Sequence, residues 1–114
     1  MRNAITATRN DINARFDRRF GRCAWFFVWD MQSREGWFVH NPGATLDTEA
    51  GAAAVNVLLS EQVDRIFSGD LGAETLKRLM DSGIGSFLLR DHHRSLAEIL
   101  NIKDNPIIIK PDLL

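Results

Sequence analysis

The sequence predicts an α/β fold, a mixed sheet held between helix layers, and three observations predict it. The first is the run Trp25-Phe26-Phe27-Val28-Trp29, whose β-prone residues carry large apolar groups on both sides. Strand side chains alternate, so Trp25, Phe27 and Trp29 share one face and Phe26 and Val28 the other. Both faces then need cover, which puts helices on each side of the sheet. The second is the alternation of strand and helix patterns from residue 48 onward, which implies right-handed crossovers and parallel pairing. The third is a polar turn, Gln32-Ser33-Arg34-Glu35-Gly36, between two apolar runs, which reads as an antiparallel hairpin.

Residues 4–8, AITAT, make the first strand and end in the polar loop Arg9-Asn10-Asp11. Residues 24–30 make the second strand and residues 37–40 the third, which Asn41-Pro42-Gly43 stops because proline cannot donate to a ladder. Asp47 or Thr48 is placed to cap the next helix, AGAAAVNVLLSEQ, whose pattern turns Ala50, Ala54, Val55, Leu58 and Leu59 to one face. Its small first residues, Gly51, Ala52 and Ala53, permit close approach of a sheet or a ligand, and close packing is the commoner use. A short strand at 65–68 ends at Gly69, and a second helix at 73–81 turns Leu76, Leu79 and Met80 inward, with Gly83 at its C-terminal cap. Residues 87–89 add a strand and 95–100 a short third helix. Residues 106–109, Pro-Ile-Ile-Ile, read equally as an edge strand or a docked tail.

At 114 residues the expectation is one domain spanning residues 1–114, with 45% hydrophobic and 25% charged residues, as in soluble proteins. No apolar run is long enough to cross a bilayer, and the start lacks a signal-peptide pattern, so a cytoplasmic location and no membrane partner are expected. One cysteine excludes an internal disulfide and, with three histidines, leaves too few soft ligands for a four-cysteine cluster site. The net charge of −1 is divided unevenly: residues 1–34 hold seven arginines against three aspartates, and the remainder is acidic. Such a front suits an anion, although a basic stretch also serves as a solvated loop.

That basic stretch runs into the aromatic strand: Arg15, Arg18, Arg19 and Arg22 precede it, together with Phe20, Gly21 and Cys23. Cys23 is a candidate metal ligand, since neighbouring Arg19 and Arg22 favour a thiolate, and the alternative is a small buried hydrophobe. His40, at the end of the third strand, is a second and weaker candidate ligand. His92-His93 reads as a loop pair, and because adjacent side chains usually point apart no metal site is expected there. Two-metal nuclease chemistry needs converging carboxylates, and the first strand has none. Walker, dinucleotide and nucleophile-elbow signatures are also missing, so neither an enzyme nor a nucleotide cofactor is expected.

FGRCAWFFVWD at 20–30, His40-Asn41-Pro42, AGAAAV at 50–55 and VDRIFSGDLGAETLKRLMDSGI at 63–84 together resemble the dinitrogenase iron-molybdenum cofactor biosynthesis proteins, which are nitrogenase accessory factors. The resemblance covers about residues 4–100, leaving 101–114 as tail or edge strand. It implies a ribonuclease-H-like three-layer fold with a five-stranded sheet, order 3-2-1-4-5, strand 2 antiparallel and helices on both faces. It also implies a non-catalytic binding or carrier protein for an anionic metal-sulfur cluster: the iron-molybdenum cofactor, its precursor, or a related iron-sulfur or molybdenum cluster. The partners it implies are proteins that donate or accept the metallocluster, with no nucleic acid, and the chain is expected as a monomer or weak homo-oligomer. Two positions depart from the family pattern: Arg19 stands where nitrogenase-associated members often carry histidine, and Asp70 follows Gly69 where two glycines are common.

With the first strand beside the fourth, ligands are expected at the carboxyl ends of the parallel strands, where chain direction reverses. The expected cluster-binding residues are Arg19, Phe20, Gly21, Arg22, Cys23, Gly51, Gly69, Asp70 and Gly72, combining arginines with backbone amides at helix starts. The competing reading is a metal-free regulatory or protein-interaction module that retains the fold.

Overall fold

In the computed structural model, which describes residues 1–90 and 93–111, the central pairing joins Arg2–Ala7 (β1) to Trp25–Asp30 (β2). They run antiparallel, from Arg2 opposite Asp30 to Ala7 opposite Trp25. Glu35–His40 (β3) returns antiparallel beside β2, with His40 opposite Trp25. On the other side Arg65–Ser68 (β4) lies parallel to β1, and Gly85–Leu88 (β5) parallel to β4. Ile108–Ile109 (β6) pairs in parallel with β3, giving the order β5-β4-β1-β2-β3-β6. The five-stranded expectation is therefore corrected to six strands, the tail adding a strand outside β3. Ile108 N–H donates to Arg34 O at 2.8 Å and Lys110 N–H to Gly36 O at 2.7 Å, which decides the 106–109 stretch as an edge strand.

Alternation along β2 sorts the core into two faces. Ala54, Val55 and Leu58 of Ala50–Ser60 (α1) and Leu79 of Ala73–Asp81 (α2) pack on Ala4, Phe26, Val28 and Ile66. Leu96 of Leu96–Leu100 (α3) packs with Ile5, Phe16, Phe27, Trp29 and Phe38 on the opposite face. Phe27 is fully buried, with its ring 4.8 Å from Phe38 and 6.0 Å from Trp29. Gly36 makes room for it, because a Cβ there would overlap Phe27 Cζ. No helix among the described residues is long and apolar enough to cross a membrane.

Several local expectations are corrected. Neither Asp47 nor Thr48 caps α1; Glu49 occupies the cap in the left-handed region at φ 62°, without a side-chain bond to the helix. Leu59, Leu76 and Met80 are not inward but 45%, 38% and 69% exposed. The reason for α2 is positional: it lies over β5, the last strand, so its outer side has no neighbour to bury against. The fifth strand starts at Gly85 rather than 87, and β1 is shifted to Arg2–Ala7. Ser95 caps α3 in a reciprocal box with Glu98, whose carboxyl is held below its ordinary range by the Ser95 backbone and hydroxyl bonds.

Candidate functional site

The segment between β1 and β2 lies over the carboxyl ends of β1 and β4 instead of leaving them open. Its anchor is Asp17, a 5% exposed residue whose backbone N–H donates to Thr6 O of β1 while the Thr6 hydroxyl donates to Asp17 O. The Asp17 carboxylate then accepts Arg19 N–H at 2.9 Å, Nε at 3.1 Å and Nη2 at 3.1 Å. This turn-plus-fork arrangement holds the guanidinium, and the hydrogen bonds to Asp17, followed by its charge, raise the Arg19 pKa. One residue earlier, Arg18 passes over Gly69 so closely that a Cβ on Gly69 would lie 2.5 Å from Arg18 Cα. Asp70 N–H donates to Arg18 O, and an isolated parallel bridge pairs Arg19 with Asp70. Glycine at 69 thus admits this segment rather than a ligand.

Next along the chain, Gly21 meets the start of α1: a Cβ on Gly21 would lie 3.1 Å from Gly51 N. Arg22 reaches across to donate to the carbonyls of Leu46 and Asp47, bracing the residues that lead into α1. Asn41, fully buried, ties the pieces together. Its Nδ2 donates to Gly21 O at 3.1 Å and Cys23 O at 2.8 Å, and its Oδ1 accepts Gly43 N–H at 3.0 Å.

Arg19, Gly21, Gly51, Gly69 and Asp70 therefore meet at one end of the sheet, with Arg22 braced beside them. Arg18 joins them, its Nε 4.0 Å from Asp70 Oδ2 with both side chains largely exposed. Phe20 and Cys23 lie beneath, in the core. Phe20 is 2% exposed against Phe26, and Cys23 is 0% exposed, its thiol donating to Phe20 O at 3.2 Å. Burial pushes the Cys23 thiol up, and the Asp17 charge adds to this, so the expected arginine-activated thiolate is corrected to a protonated, buried thiol. His40 is exposed and sets its ring edge-on to Trp25 at 5.3 Å. Gly72 is exposed at the N-terminal cap of α2. His92 falls outside the described residues, and among those described no three His, Cys, Asp or Glu side chains converge on one point.

Beside this cluster, Gly51 borders a cleft of 330 Å³ between the starts of α1 and α2, which Thr75 and Arg78 line together with the carboxylates of Glu49 and Glu74. Sequence reasoning missed Asp17 and the role of Asn41, and it placed Arg18 only in the basic stretch, not among the expected binding residues. The Asp-x-Arg spacing is a readable signal for a side chain folding back on its own turn, whereas Asn41, legible as a strand stop and as part of a family motif, gives no local sign of its buried partners.

The sheet, with helices on both faces and an arginine-rich segment crossing its carboxyl end, defines an α/β protein. The chain belongs to the dinitrogenase iron-molybdenum cofactor family, whose model matches residues 1–101. Among solved structures it is similar to the apo form of the orange protein from Desulfovibrio gigas, at 26% identity and TM-score 0.77, over 96% of this chain and 92% of that one. It also shares its fold with a NifB-like protein of the DUF35 family from Thermotoga, at 20% identity and TM-score 0.74, over 92% and 88% of the two chains. No curated protein matches. Strand β6 lies beyond the residues that the family model matches.

Proposed function

We propose that this protein is a non-catalytic carrier of an anionic metal-sulfur cluster, of the iron-molybdenum type or a precursor of it, received from and passed to partner proteins. Family membership and the similarity to the orange protein support a role in handling such a cluster. The observation that carries the reading is the exposed cationic rim, Arg18 and Arg19, on the same segment whose Gly21 meets the α1 start, where no side chain caps the first N–H groups. Arg22 and Gly51 form the neighbouring wall, and Gly72 leaves the approach open. A ribonuclease-H-like classification is the finer reading of the same sheet.

In this proposal the cluster is held from outside by charge and amide hydrogen bonds, and Cys23 supports the loop from beneath. A second reading, direct ligation by Cys23, requires the loop from Asp17 to Arg22 to lift away from Asn41 first, because the thiol is buried between them. Anaerobic reconstitution with iron, sulfide and molybdate, followed by desalting, metal analysis and visible absorption, tests the function. A coloured protein with bound metal is expected; a colourless, metal-free one would favour the interaction-module alternative.

A further inference from the structure

Two carboxylates stand beside the basic rim, and the fold treats them differently. Asp70 is 76% exposed and meets Arg18 through one contact at 4.0 Å. Asp17 is 5% exposed and is pinned to β1, its N–H donating to Thr6 O at 3.2 Å and its carbonyl accepting the Thr6 hydroxyl. Burying a carboxylate is costly unless it is well bonded. Among the described residues the only cation bonded to Asp17 is Arg19, whose own side chain stays 62% exposed.

The bonds between the two residues are of two kinds. The Arg19 backbone N–H donates to Asp17 Oδ1 at 2.9 Å, closing a turn that an asparagine at 17 would close equally well. Nε and Nη2 donate to Oδ1 and Oδ2, each at 3.1 Å, a fork that takes both oxygens of a carboxylate. The turn needs no charge at 17, and the fork does. That fork occupies one edge of the guanidinium. The other edge, with both N–H groups of Nη1 and the second of Nη2, meets no acceptor among the described residues. Arg18 and Arg22 lack this arrangement, since Arg18 has one long contact and Arg22 directs its guanidinium to the carbonyls of Leu46 and Asp47.

We infer that Asp17 is a positioning residue for the cluster, holding the Arg19 plane so that its outer edge receives acceptor atoms of the anion in pairs. The inference rests on the carriage reading proposed above. An arginine that is already ordered gives up less side-chain freedom on binding than one that rotates freely. Its paired donors also select acceptors set side by side over a diffuse negative charge. Asp17 thus strengthens the binding of a ligand of its own sign. In this it is the opposite of Asp70, whose exposed and loosely paired charge repels the same ligand.

Anaerobic titration with iron, sulfide and molybdate, followed by desalting and metal analysis, tests it on variants that circular dichroism shows to be folded. Asp17→Asn keeps the turn bond and removes a negative charge, so charge alone predicts tighter metal retention than in the wild type. Positioning predicts the reverse, an apparent affinity about 2–10-fold lower. Arg19→Lys, which keeps the charge and loses the planar fork, should fall likewise. In an Arg19→Ala background Asp17→Asn should cause no further loss, because Asp17 acts through Arg19, whereas a purely structural role would lower retention again. The Arg19 Nε–H resonance should exchange slowly with solvent in the wild type and fast in Asp17→Asn. A coloured wild type with equal or tighter retention in Asp17→Asn, wild-type retention in Arg19→Lys, a further loss in the double variant or fast exchange in the wild type overturns the inference and leaves carriage standing. A metal-free wild type overturns carriage and the inference together.

Discussion

Arg19 forks onto Asp17 through Nε and Nη2, each 3.1 Å from a carboxylate oxygen, although the aspartate is almost fully buried and the arginine largely exposed. The pair makes Arg19 a brace for the loop as well as a cation at its rim. Arg19→Ala should therefore lower stability by about 1–3 kcal/mol, because a buried acceptor loses its partners. Arg19→Lys should recover only part of this, since an ammonium cannot reproduce the planar fork. Urea denaturation of both variants, with Asp17→Asn completing a double-mutant cycle, checks the coupling; additive losses would contradict it.

Phe27 and Gly36 test the two-sided core. Phe27→Ala empties a buried aromatic site and should cost about 3–5 kcal/mol. Gly36→Ala drives a methyl into the same ring and should destabilise by about 1–3 kcal/mol through overpacking. An unchanged denaturant midpoint for either variant would mean that the ring is less confined than its contacts with Phe38 and Trp29 indicate.

Cys23 gives a pH signature. Its folded pKa is raised by burial, so below the ordinary thiol value of about 8.5 both folded and unfolded chains keep the proton and stability is unaffected. Above it the unfolded chain releases a proton that the native protein retains, and stability falls as pH rises. Cys23→Ala should remove this slope between about pH 8 and 9.5. The native thiol should also resist alkylation until denaturant is added; rapid labelling of the folded protein would show an opening that favours direct ligation.

The aromatic strand was legible because alternation is local: Trp25 to Trp29 state both faces of the sheet in five letters. Residues 65–68 and 73–81 were likewise read with their observed limits, since Gly69, Gly72 and Gly83 punctuate them. What could not be read depends on distant partners. Asn41 is a turn residue by sequence and becomes a strut only because Gly21 and Cys23 come within reach of its amide. Gly69 signals ligand approach until Arg18 is found lying over it, and Cys23 looks activated until burial outweighs its neighbouring arginines. Leu76 and Met80 obey helical periodicity, yet their burial required a strand beyond β5 that the described chain does not place there.

Asp70 pairs with Arg18 at 4.0 Å, and under the proposed carriage its charge would oppose the incoming cluster. Asp70→Gly removes a negative charge and releases that guanidinium, so cluster retention after reconstitution should rise. Reduced retention would instead make Asp70 part of the docking surface.

The most direct test of charge-based carriage is metal content after anaerobic reconstitution with iron, sulfide and molybdate, in wild type, Arg18→Ala and Cys23→Ser side by side at low and high salt. Arg18→Ala leaves the buried framework intact, because its side chain is 63% exposed. Capture by the rim predicts that Arg18→Ala and added salt both lower metal occupancy while Cys23→Ser keeps most of it. Loss of the coloured species in Cys23→Ser alone, with Arg18→Ala and high salt without effect, would contradict it.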